Sequence, residues 1–288
     1  MMKKGVLYTN AYLASSHFDA LYALVETAAE GLGISLSRVT GRAATLPFEE
    51  HPARDADFVL FWDKDIAAAR RFSRHGIPVF NSPDAIRICD SKTETAEALS
   101  SAKIPIPRTL YAPKTYASVG YPDLDFVENA CRTLGLPIVI KESYGSFGEQ
   151  VYLAHKVEEA KVIAARIGAE PFLFQEFISS SFGTDVRVNV VGEQAVCAMK
   201  RTGRVGDFRS NIAGGGIGEV YTLSDEEEAL AVAAVRAVGA DFAGVDLLFG
   251  ENGSLVCEVN SNPHFTGTYK HTGVNLAVPI LEHILKSI

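Results

Sequence analysis

The chain has 288 residues, a length that suits one enzyme of two or three domains. Hydrophobic residues make up 47% and charged residues 22%, and this ordinary globular usage excludes a largely disordered chain or a coiled coil. With 27 Lys and Arg against 35 Asp and Glu, the net charge is −8. That balance disfavours a nucleic-acid-binding protein, which needs a basic surface.

The cysteines and the hydropathy pattern indicate a cytoplasmic protein. Cys89, Cys131, Cys197 and Cys257 lie far apart with no C-x-x-C pair, so they predict isolated buried thiols rather than a zinc or redox motif. The N-terminal segment turns polar too soon for a signal peptide. No apolar run approaches the ~18 residues of a membrane span, so we expect no membrane partner.

The first third alternates strand and helix patterns, which predicts an α/β domain with a parallel sheet. The predicted strands cover residues 5–9, 57–62 and 78–81, and the predicted helices cover residues 17–31 and 66–75. The turn at residues 10–14 lacks the glycines of a dinucleotide-binding fold, which disfavours that class of protein. Ser82 and Pro83 predict a helix start, and the first domain is placed at residues 1–82.

The rest of the chain predicts two further domains, residues 83–171 and 172–288. The helix that begins at Pro83 is expected to reach Ile104, where prolines end it. Ser224 and Glu227 have the spacing of a capping box at a later helix. The other predicted helices cover residues 123–134, 157–167, 224–238 and 274–285. The predicted strands cover residues 108–111, 136–142, 150–154, 172–178, 185–191, 194–201, 242–249 and 254–259.

The last predicted hairpin carries the strongest chemical signal. Glu258 and Asn260 are two residues apart on one strand, so their side chains share a face. If the turn centres near Asn252, Asp246 lies opposite Glu258 on the neighbouring strand. Carboxylate and amide oxygens suit Mg²⁺, which takes few protein ligands and completes its shell with water and substrate phosphates. The alternative is an exposed polar strand face.

A lysine followed by small residues marks a second candidate site. Lys141 ends an apolar strand and precedes a loop that contains Gly145, Ser146 and Gly148. A lysine ammonium can bind phosphate oxygens, and glycines let backbone N–H groups approach them. The loop lacks the G-K-[ST] ending of a Walker A motif. A strand-ending lysine that reaches solvent is the alternative.

Further cations lie in and before a glycine-rich stretch at residues 203–216. Arg209 belongs to this stretch, and its guanidinium can bind a phosphate or a carboxylate with two hydrogen bonds. A flexible surface loop is the alternative. Arg187 lies on a preceding strand and shares a face with Asp185, so a structural salt bridge is the alternative there. Lys92, on the helix that enters the middle domain, carries no signal by itself.

Taken in their order along the chain, these motifs resemble those of the ATP-grasp superfamily, and within it those of the RimK-type amino-acid ligases. The resemblance covers residues 84–288 and follows a compatible N-terminal α/β domain. Its most specific parts are the runs at residues 206–211 and 258–260. It implies an ATP-grasp fold in which two α+β subdomains clasp a nucleotide. The chain departs from the family at Glu149 and Gln150, where a further glycine is common, and at Phe177, which replaces a common tyrosine.

The resemblance implies that nine residues bind ATP. Two lysines would hold the α- and β-phosphates under the glycine loop, a strand-end hinge would hold adenine largely through backbone groups, and an aspartate would belong to the ribose side. These residues are Lys92, Lys141, Gly145, Ser146, Gly148, Glu176, Phe177, Ile178 and Asp185.

The resemblance also implies catalytic and metal-binding residues. Arg187, Arg209 and Asn211 would be catalytic, with Arg209 and Asn211 contacting the triphosphate or an acyl phosphate. The implied metal ligands are Asp246, Glu258 and Asn260. They would bind two Mg²⁺ ions, which Mn²⁺ can replace. His264, Tyr269 and His271 flank this region and could select the substrate.

The implied reaction is ATP-dependent formation of an amide or peptide bond with release of ADP and phosphate. A carboxylate becomes an acyl phosphate, and an amine then replaces the phosphate. No protein nucleophile is required, and no serine or cysteine nucleophile motif is found. The implied partners are an amino acid such as glutamate and an amine or carboxylate acceptor, either a peptide, a protein or a metabolite, with a homo-oligomer as an option. A regulatory ATP-binding protein without ligase activity is the alternative.

Overall fold

A computed structural model describes residues 2–13, 16–146, 148–210 and 215–288. Its N-terminal sheet is parallel, as the sequence predicts, with strand order β2-β1-β3-β4. The strands are β1 (Lys4–Thr9), β2 (Ser35–Thr40), β3 (Phe58–Trp62) and β4 (Val79–Phe80), and the helices are α1 (Ser16–Gly31) and α2 (Ile66–Arg74). Strand β2 was not predicted, because this half-exposed edge strand is polar and lacks an apolar run.

The single helix predicted from Pro83 to Ile104 is wrong. The chain forms α3 (Pro83–Asp90) and α4 (Lys92–Ser101), separated by Ser91 in an extended conformation. The Ser91 hydroxyl accepts a hydrogen bond from the Glu94 amide at 3.3 Å and so caps α4. The break places Lys92 at the first position of α4, where its backbone N–H donates to the Ser143 carbonyl at 2.8 Å.

The middle sheet is antiparallel, with strand order β5-β8-β6-β7. Its strands are β5 (Thr109–Tyr111), β6 (Ile138–Glu142), β7 (Val151–Ala154) and β8 (Phe172–Glu176), and its helices are α5 (Asp125–Leu134) and α6 (Val157–Ile167). The predicted boundary after residue 171 would separate β8 from this sheet. Because β8 pairs with both β5 and β6, the strand belongs to the middle region.

The C-terminal sheet has the order β11-β10-β9-β12-β13 and holds both predicted hairpins. Its strands are β9 (Thr184–Val191), β10 (Gln194–Thr202), β11 (Ile217–Val220), β12 (Phe242–Gly250) and β13 (Gly253–Asn260). The helices are α7 (Asp225–Ala237), α8 (Thr266–Thr272) and α9 (Ala277–Ser287). The capping box of Ser224 and Glu227 at the start of α7 is confirmed. Strand β11 and helix α8, both short, were not predicted.

The two ends of the chain share one hydrophobic core. Leu7 of β1 and Leu21 and Val25 of α1 pack in the same cluster as Ile280 and Ile284 of α9, and all five are fully buried. Each such side chain contributes about 1.5–3 kcal/mol on burial. Because Val191 and Phe242 belong to the same cluster, helix α9 packs between the N-terminal domain and the C-terminal sheet. Within the described residues, no helix is long and apolar enough to cross a bilayer.

Asn81 joins the N-terminal sheet to the C-terminal sheet. Its fully buried amide nitrogen donates to the carbonyls of Phe242 at 2.9 Å and Ser261 at 2.8 Å. Its amide oxygen accepts from the backbone N–H groups of Asp241 at 2.6 Å and Phe242 at 3.2 Å. Because Phe242 begins β12 and Ser261 follows β13, these four bonds fix the hairpin that carries the candidate metal ligands.

Candidate active site

A cavity of about 920 Å³ is lined by residues from all three sheets. It brings together most of the residues that the sequence predicts to act together. Gly145 is not among its lining residues, although its carbonyl accepts a hydrogen bond from Lys92 Nζ at 3.2 Å. Asn211 lies outside the described residues. The predicted residues that line the cavity are Lys92, Lys141, Ser146, Gly148, Glu176, Phe177, Ile178, Asp185, Arg187, Arg209, Asp246, Glu258 and Asn260.

The last hairpin has the register that the sequence predicts. Asp246 of β12 pairs directly with Glu258 of β13. The register then shifts by one residue, so that Leu247 pairs with Val256 and Cys257 becomes the extra residue of a β-bulge. Cys257 and Glu258 both line the cavity as a result. The expected cluster of polar side chains on one face of this hairpin is present, with a thiol added.

Asp246 is bound by two arginines. Arg187 lies directly across from it on β9 and donates Nη2 to Asp246 Oδ2 at 2.8 Å and Nε to Oδ1. Arg201 of β10 places Nη2 3.0 Å from the same Oδ1. The salt bridge that the sequence allowed for Arg187 therefore exists, but its partner is Asp246 on the next strand rather than Asp185.

Asp185 completes a cluster of four charges. Arg201 Nε donates to Asp185 Oδ1 at 2.7 Å, and the Ser210 hydroxyl donates to Asp185 Oδ2. The four charged side chains are between 6% and 13% exposed. Two positive and two negative groups make the cluster neutral, which offsets the cost of burying them. The carboxylate of Asp185, predicted to belong to the ribose side, is thus already bound by Arg201 and Ser210.

The pKa of Asp246 follows from these contacts. Burial acts to raise the pKa, but the charges and hydrogen bonds of Arg187 and Arg201 outweigh it and hold the pKa below its ordinary value. For Asp185, burial is the largest influence, and the nearby Asp246 adds to it, so the pKa of Asp185 is raised although Arg201 opposes this. Asp246 is the carboxylate that stays ionised most firmly.

The carboxylates predicted as metal ligands differ in how many hydrogen bonds and ion pairs they already form. Among the described residues, the Glu258 carboxylate accepts no hydrogen bond and forms no ion pair, while the Asp246 carboxylate is already shared by two arginines. A carboxylate has about four lone-pair positions, of which Asp246 uses three. No group of three or more His, Cys, Asp or Glu side chains within the described residues is arranged to hold a metal ion. A Mg²⁺ ion at this position would therefore need Glu258 together with additional oxygen donors.

Asn260 fits the role of an additional donor. Its Nδ2 atom is buried and lacks a hydrogen-bond partner among the described residues. A half-turn of the amide would place an oxygen at this position. Mg²⁺ is commonly held by one or two carboxylates together with substrate phosphates, so Glu258, Asn260 and one position on Asp246 form a suitable donor set.

Two lysines face these acidic groups. Lys141, only 9% exposed, lies with Nζ 3.4 Å from the Cys257 sulfur. Burial lowers the pKa of Lys92, and although the negative Glu258 opposes this effect, the positive charges of Lys141 and Lys64 reinforce it. Burial also raises the pKa of the Cys257 thiol. Among the described residues, the ammonium groups of Lys92 and Lys141 contact the Gly145 carbonyl and the Cys257 sulfur rather than a carboxylate. Such an environment favours an anionic ligand.

The two glycine-bearing loops meet over the cavity. Arg209 Nη1 donates to the Gly148 carbonyl at 2.9 Å, and its Nε and Nη2 donate to the carboxylate of Asp207 at 3.0 Å. At Gly203, an added Cβ would lie 2.0 Å from the Arg209 carbonyl oxygen, so only glycine fits this close approach. Arg209 therefore links the loop after β10 to the loop after β6.

The predicted adenine hinge follows β8. The Glu176 carboxylate accepts from the Arg108 backbone N–H and from Arg108 Nε, both at 2.7 Å. Burial acts to raise the pKa of Glu176, but these contacts outweigh it and lower the pKa. Phe177 packs edge-to-face against Phe182 and Phe208, with ring centroids 6.1 and 6.4 Å apart. The Glu176 carboxylate is thus bound by Arg108. Phe177 and Ile178 are the apolar residues of this hinge that line the cavity.

Sequence reasoning missed Arg201, Lys64 and Asn81, among other residues of this site. Arg201 and Lys64 line the cavity, and Asn81 positions the hairpin that carries the predicted metal ligands. No local motif marks any of the three, because each acts through partners that are distant in sequence. Of the flanking residues, His264 lines the cavity, whereas Tyr269 and His271 are not among the lining residues.

Comparison with known proteins identifies the family of this chain. A family model described as a RimK-like ATP-grasp domain matches residues 89–284. The chain is 34% identical over 275 residues to an "uncharacterized protein MG012 homolog" of Mycoplasma pneumoniae, covering 91% of this chain and 92% of that protein. It is 34% identical over 214 residues to a "probable alpha-L-glutamate ligase" of Mannheimia succiniciproducens, covering 74% and 69% of the two chains.

A solved structure supports the fold. The ATP-grasp ligase PsnB, complexed with its minimal precursor, superimposes with a TM-score of 0.73 at 20% identity and full coverage of both chains. The fold and the site define an ATP-dependent, ADP-forming carbon–nitrogen ligase of the ATP-grasp superfamily. Within that class, the chain belongs to the RimK-like ATP-grasp family, whose members use ATP and Mg²⁺.

Proposed function

We propose that this ligase forms an amide bond between an amino acid such as glutamate and a peptide, protein or metabolite acceptor, through an acyl phosphate. Relatives named as probable alpha-L-glutamate ligases support glutamate as the amino acid. The observation that carries the proposal is the cavity itself, where Lys92, Lys141 and Arg209 converge with Glu258 and Asp246.

The reaction must bring two anions together. A carboxylate and the γ-phosphate of ATP repel each other, and two unit charges ~4 Å apart interact by roughly 4 kcal/mol at an effective dielectric near 20. The cavity supplies cations on the lysine side and metal-binding oxygens on the hairpin side. Phosphoryl transfer depends mainly on such positioning and charge neutralisation.

The proposed chemistry has two steps. A carboxylate oxygen attacks the γ-phosphorus, and the bond to the β,γ-bridging oxygen breaks, with its electron pair leaving on ADP. An amine then attacks the acyl carbon, the bond from that carbon to the phosphate oxygen breaks, phosphate leaves, and the amine loses a proton. An acyl phosphate hydrolyses readily, so water must be kept out by the two loops that Arg209 links.

Each part of the cavity has a proposed role. Lys92 and Lys141 bind the α- and β-phosphates, and Phe177 and Ile178 hold adenine next to the hinge backbone. Asp185 lines the ribose side and orients Ser210 and Arg201. Two Mg²⁺ ions, or Mn²⁺ in their place, would be held by Glu258, Asn260 and Asp246, and would neutralise phosphate charge. Asn211 is proposed to act with Arg187 and Arg209 on the transferred phosphate.

The test is an acceptor screen with purified protein. ADP release is measured with ATP, Mg²⁺ and each amino acid, alone and with short peptides, and products are identified by mass spectrometry. Hydroxylamine is added in parallel because it traps an acyl phosphate as a hydroxamate. We expect acceptor-dependent ADP release with a hydroxamate that requires ATP. Amide product without any trapped hydroxamate would contradict the acyl phosphate, and a product lacking glutamate would change the assigned amino acid.

Three further expectations stay predictions. We propose that the ligase works in the cytoplasm, in keeping with four free thiols in the described chain. We also propose that it can form a homo-oligomer, which size-exclusion chromatography with light scattering would measure directly. The division into an N-terminal domain and two nucleotide-clasping subdomains is proposed with the second boundary after β8.

A further inference from the structure

Lys64 lines the cavity but lies outside the motifs of the family resemblance. It follows β3 in the turn that leads to α2, on the N-terminal side of the site. Lys92 and Lys141 line the same cavity from the start of α4 and from β6. Three ammonium groups from three parts of the chain therefore face one space.

The backbone next to Lys64 is fixed against the metal hairpin. Asn262 Nδ2 donates to the Asp63 carbonyl at 2.9 Å. The Asp63 carboxylate accepts from Asn10 Nδ2 at 3.2 Å and from the Lys64 backbone N–H at 2.7 Å. Because Asn262 is two residues beyond Asn260, these bonds hold the backbone of Lys64 close to the end of β13.

The Lys64 ammonium reaches two other segments. Nζ lies 2.5 Å from Asp90 Oδ1 at the end of α3 and 3.4 Å from the hydroxyl of Ser146 in the glycine-bearing loop. An ammonium has three N–H donors, and two of them have partners among the described residues. A salt bridge alone would account for Asp90 but not for the contact with the phosphate-binding loop. One donor remains for a ligand.

The surrounding charges favour a polyanion at this point. Lys64 and Lys141 both act on Lys92 as like charges, and the carboxylates of Glu258 and Asp90 oppose them. Asp90 is already paired with Lys64. Once Glu258 binds a metal ion, its negative charge no longer balances the lysines. A ligand with several phosphate charges then provides the missing negative charge.

We infer that Lys64 binds the terminal phosphate of ATP and that the N-terminal domain thereby takes part in nucleotide binding. The assignment rests on the proposed roles of Lys92 and Lys141, which hold the inner phosphates from the middle region. Lys64 comes from the opposite side, beside Asn262 and the metal hairpin, where the phosphate to be transferred meets the carboxylate. Removing Lys64 should therefore weaken binding of a triphosphate and spare binding of a diphosphate.

The experiment compares two nucleotides by calorimetric titration of the full chain in Mg²⁺, namely ADP and the non-hydrolysable ATP analogue AMPPNP. In Lys64→Met we expect about 10- to 100-fold weaker AMPPNP binding, which is the fold-change for one charge-assisted hydrogen bond, and less than about twofold change for ADP. Lys64→Arg should restore most of the AMPPNP affinity. Lys4→Met, which removes an exposed lysine of the same domain away from the cavity, should change neither affinity.

A second variant keeps the inference testable if Lys64→Met does not fold. Asp90→Asn releases Lys64 from its carboxylate, so AMPPNP binding should tighten more than ADP binding. Equal losses for both nucleotides in Lys64→Met, or no preference for AMPPNP in Asp90→Asn, would overturn the assignment. Neither result would affect the proposed amino acid or acyl phosphate, because these titrations contain no acceptor. Conversely, a failed acceptor screen leaves the nucleotide titrations interpretable.

Discussion

Arg187 and Asp246 lie directly opposite each other on adjacent strands, with Arg187 Nη2 donating to Asp246 Oδ2 at 2.8 Å. Arg201 adds a second guanidinium at 3.0 Å from the other carboxylate oxygen. The residue predicted as a metal ligand is therefore also the centre of a buried charge cluster. Its structural and chemical roles can be separated by comparing it with Glu258, which has no such partners among the described residues.

Asp246→Ala should destabilise the fold strongly. It leaves Arg187 and Arg201 mostly buried with one carboxylate between them, and breaking a buried ion pair costs about 3–5 kcal/mol. Urea unfolding would measure the loss in the free energy of unfolding. Glu258→Ala is the matched control and should cost less than about 1 kcal/mol. Similar losses in both variants would mean that the charge cluster contributes little to stability.

Glu258→Gln should remove Mg²⁺-dependent turnover while the protein stays folded. The amide keeps the shape of the side chain but lacks the negative charge that holds the metal ion. A metal ion supplies several kcal/mol of charge stabilisation, so ADP release should fall about 10²- to 10³-fold. Glu251→Gln, in the exposed turn of the same hairpin, should be as active as the wild type. Full activity in Glu258→Gln would remove Glu258 from the metal site.

Arg209→Ala should reduce turnover more than nucleotide binding. Arg209 links the two loops and faces the cavity, so we expect it to act on the charge that develops during transfer. Loss of one such donor typically costs about 10²-fold or more in rate. AMPPNP affinity should change much less. Arg204→Ala removes an exposed arginine from the same segment and should leave both unchanged. A proportional loss of AMPPNP affinity would instead make Arg209 a residue of nucleotide binding.

Asn81→Ala should destabilise the junction of the two sheets. Four buried backbone groups lose their partner, and each unsatisfied buried group costs about 1–3 kcal/mol unless water replaces the bond. We expect a loss of at least about 2 kcal/mol in the free energy of unfolding. Asn252→Ala, in an exposed turn, should lose less than about 0.5 kcal/mol. Equal small losses would show that Asn81 is dispensable for the junction.

The parts of the structure with strong local patterns could be predicted from the sequence. Apolar and polar residues that alternate around a short turn predict the hairpin of β12 and β13. Asp246 is found opposite Glu258, as predicted, although the β-bulge at Cys257, which was not predicted from the sequence, is what brings the two residues into register. The capping box at Ser224 is equally local. The fold class and the RimK-like family were predicted from the order of the motifs, and the family match at residues 89–284 confirms them.

The remaining features depend on tertiary contacts. The break at Ser91 brings the Lys92 backbone N–H to the Ser143 carbonyl, and this partner lies about fifty positions away in the sequence. Arg201 has no motif, since its importance comes from Asp185 and Asp246 on neighbouring strands. The half-exposed edge strand β2 is recognisable only once β1 is present as its partner. Sequence patterns reveal contacts between residues that are close along the chain or paired across a hairpin. The contacts of Lys92, Arg201 and β2 join segments that are far apart in the sequence, so no local pattern marks them.

The packing of α9 against α1 bears on how specificity could be re-engineered in this family. A chimaera that exchanged only residues 1–82 with those of a relative would pair a foreign α1 with the native Ile280 and Ile284. The mismatch would lie in the core that α1 and α9 share, and it would disturb the active-site cavity because the same core contains Phe242, the residue that begins β12 and binds Asn81. The exchangeable unit is therefore discontinuous, and a functional graft must carry the terminal helix along with the leading domain.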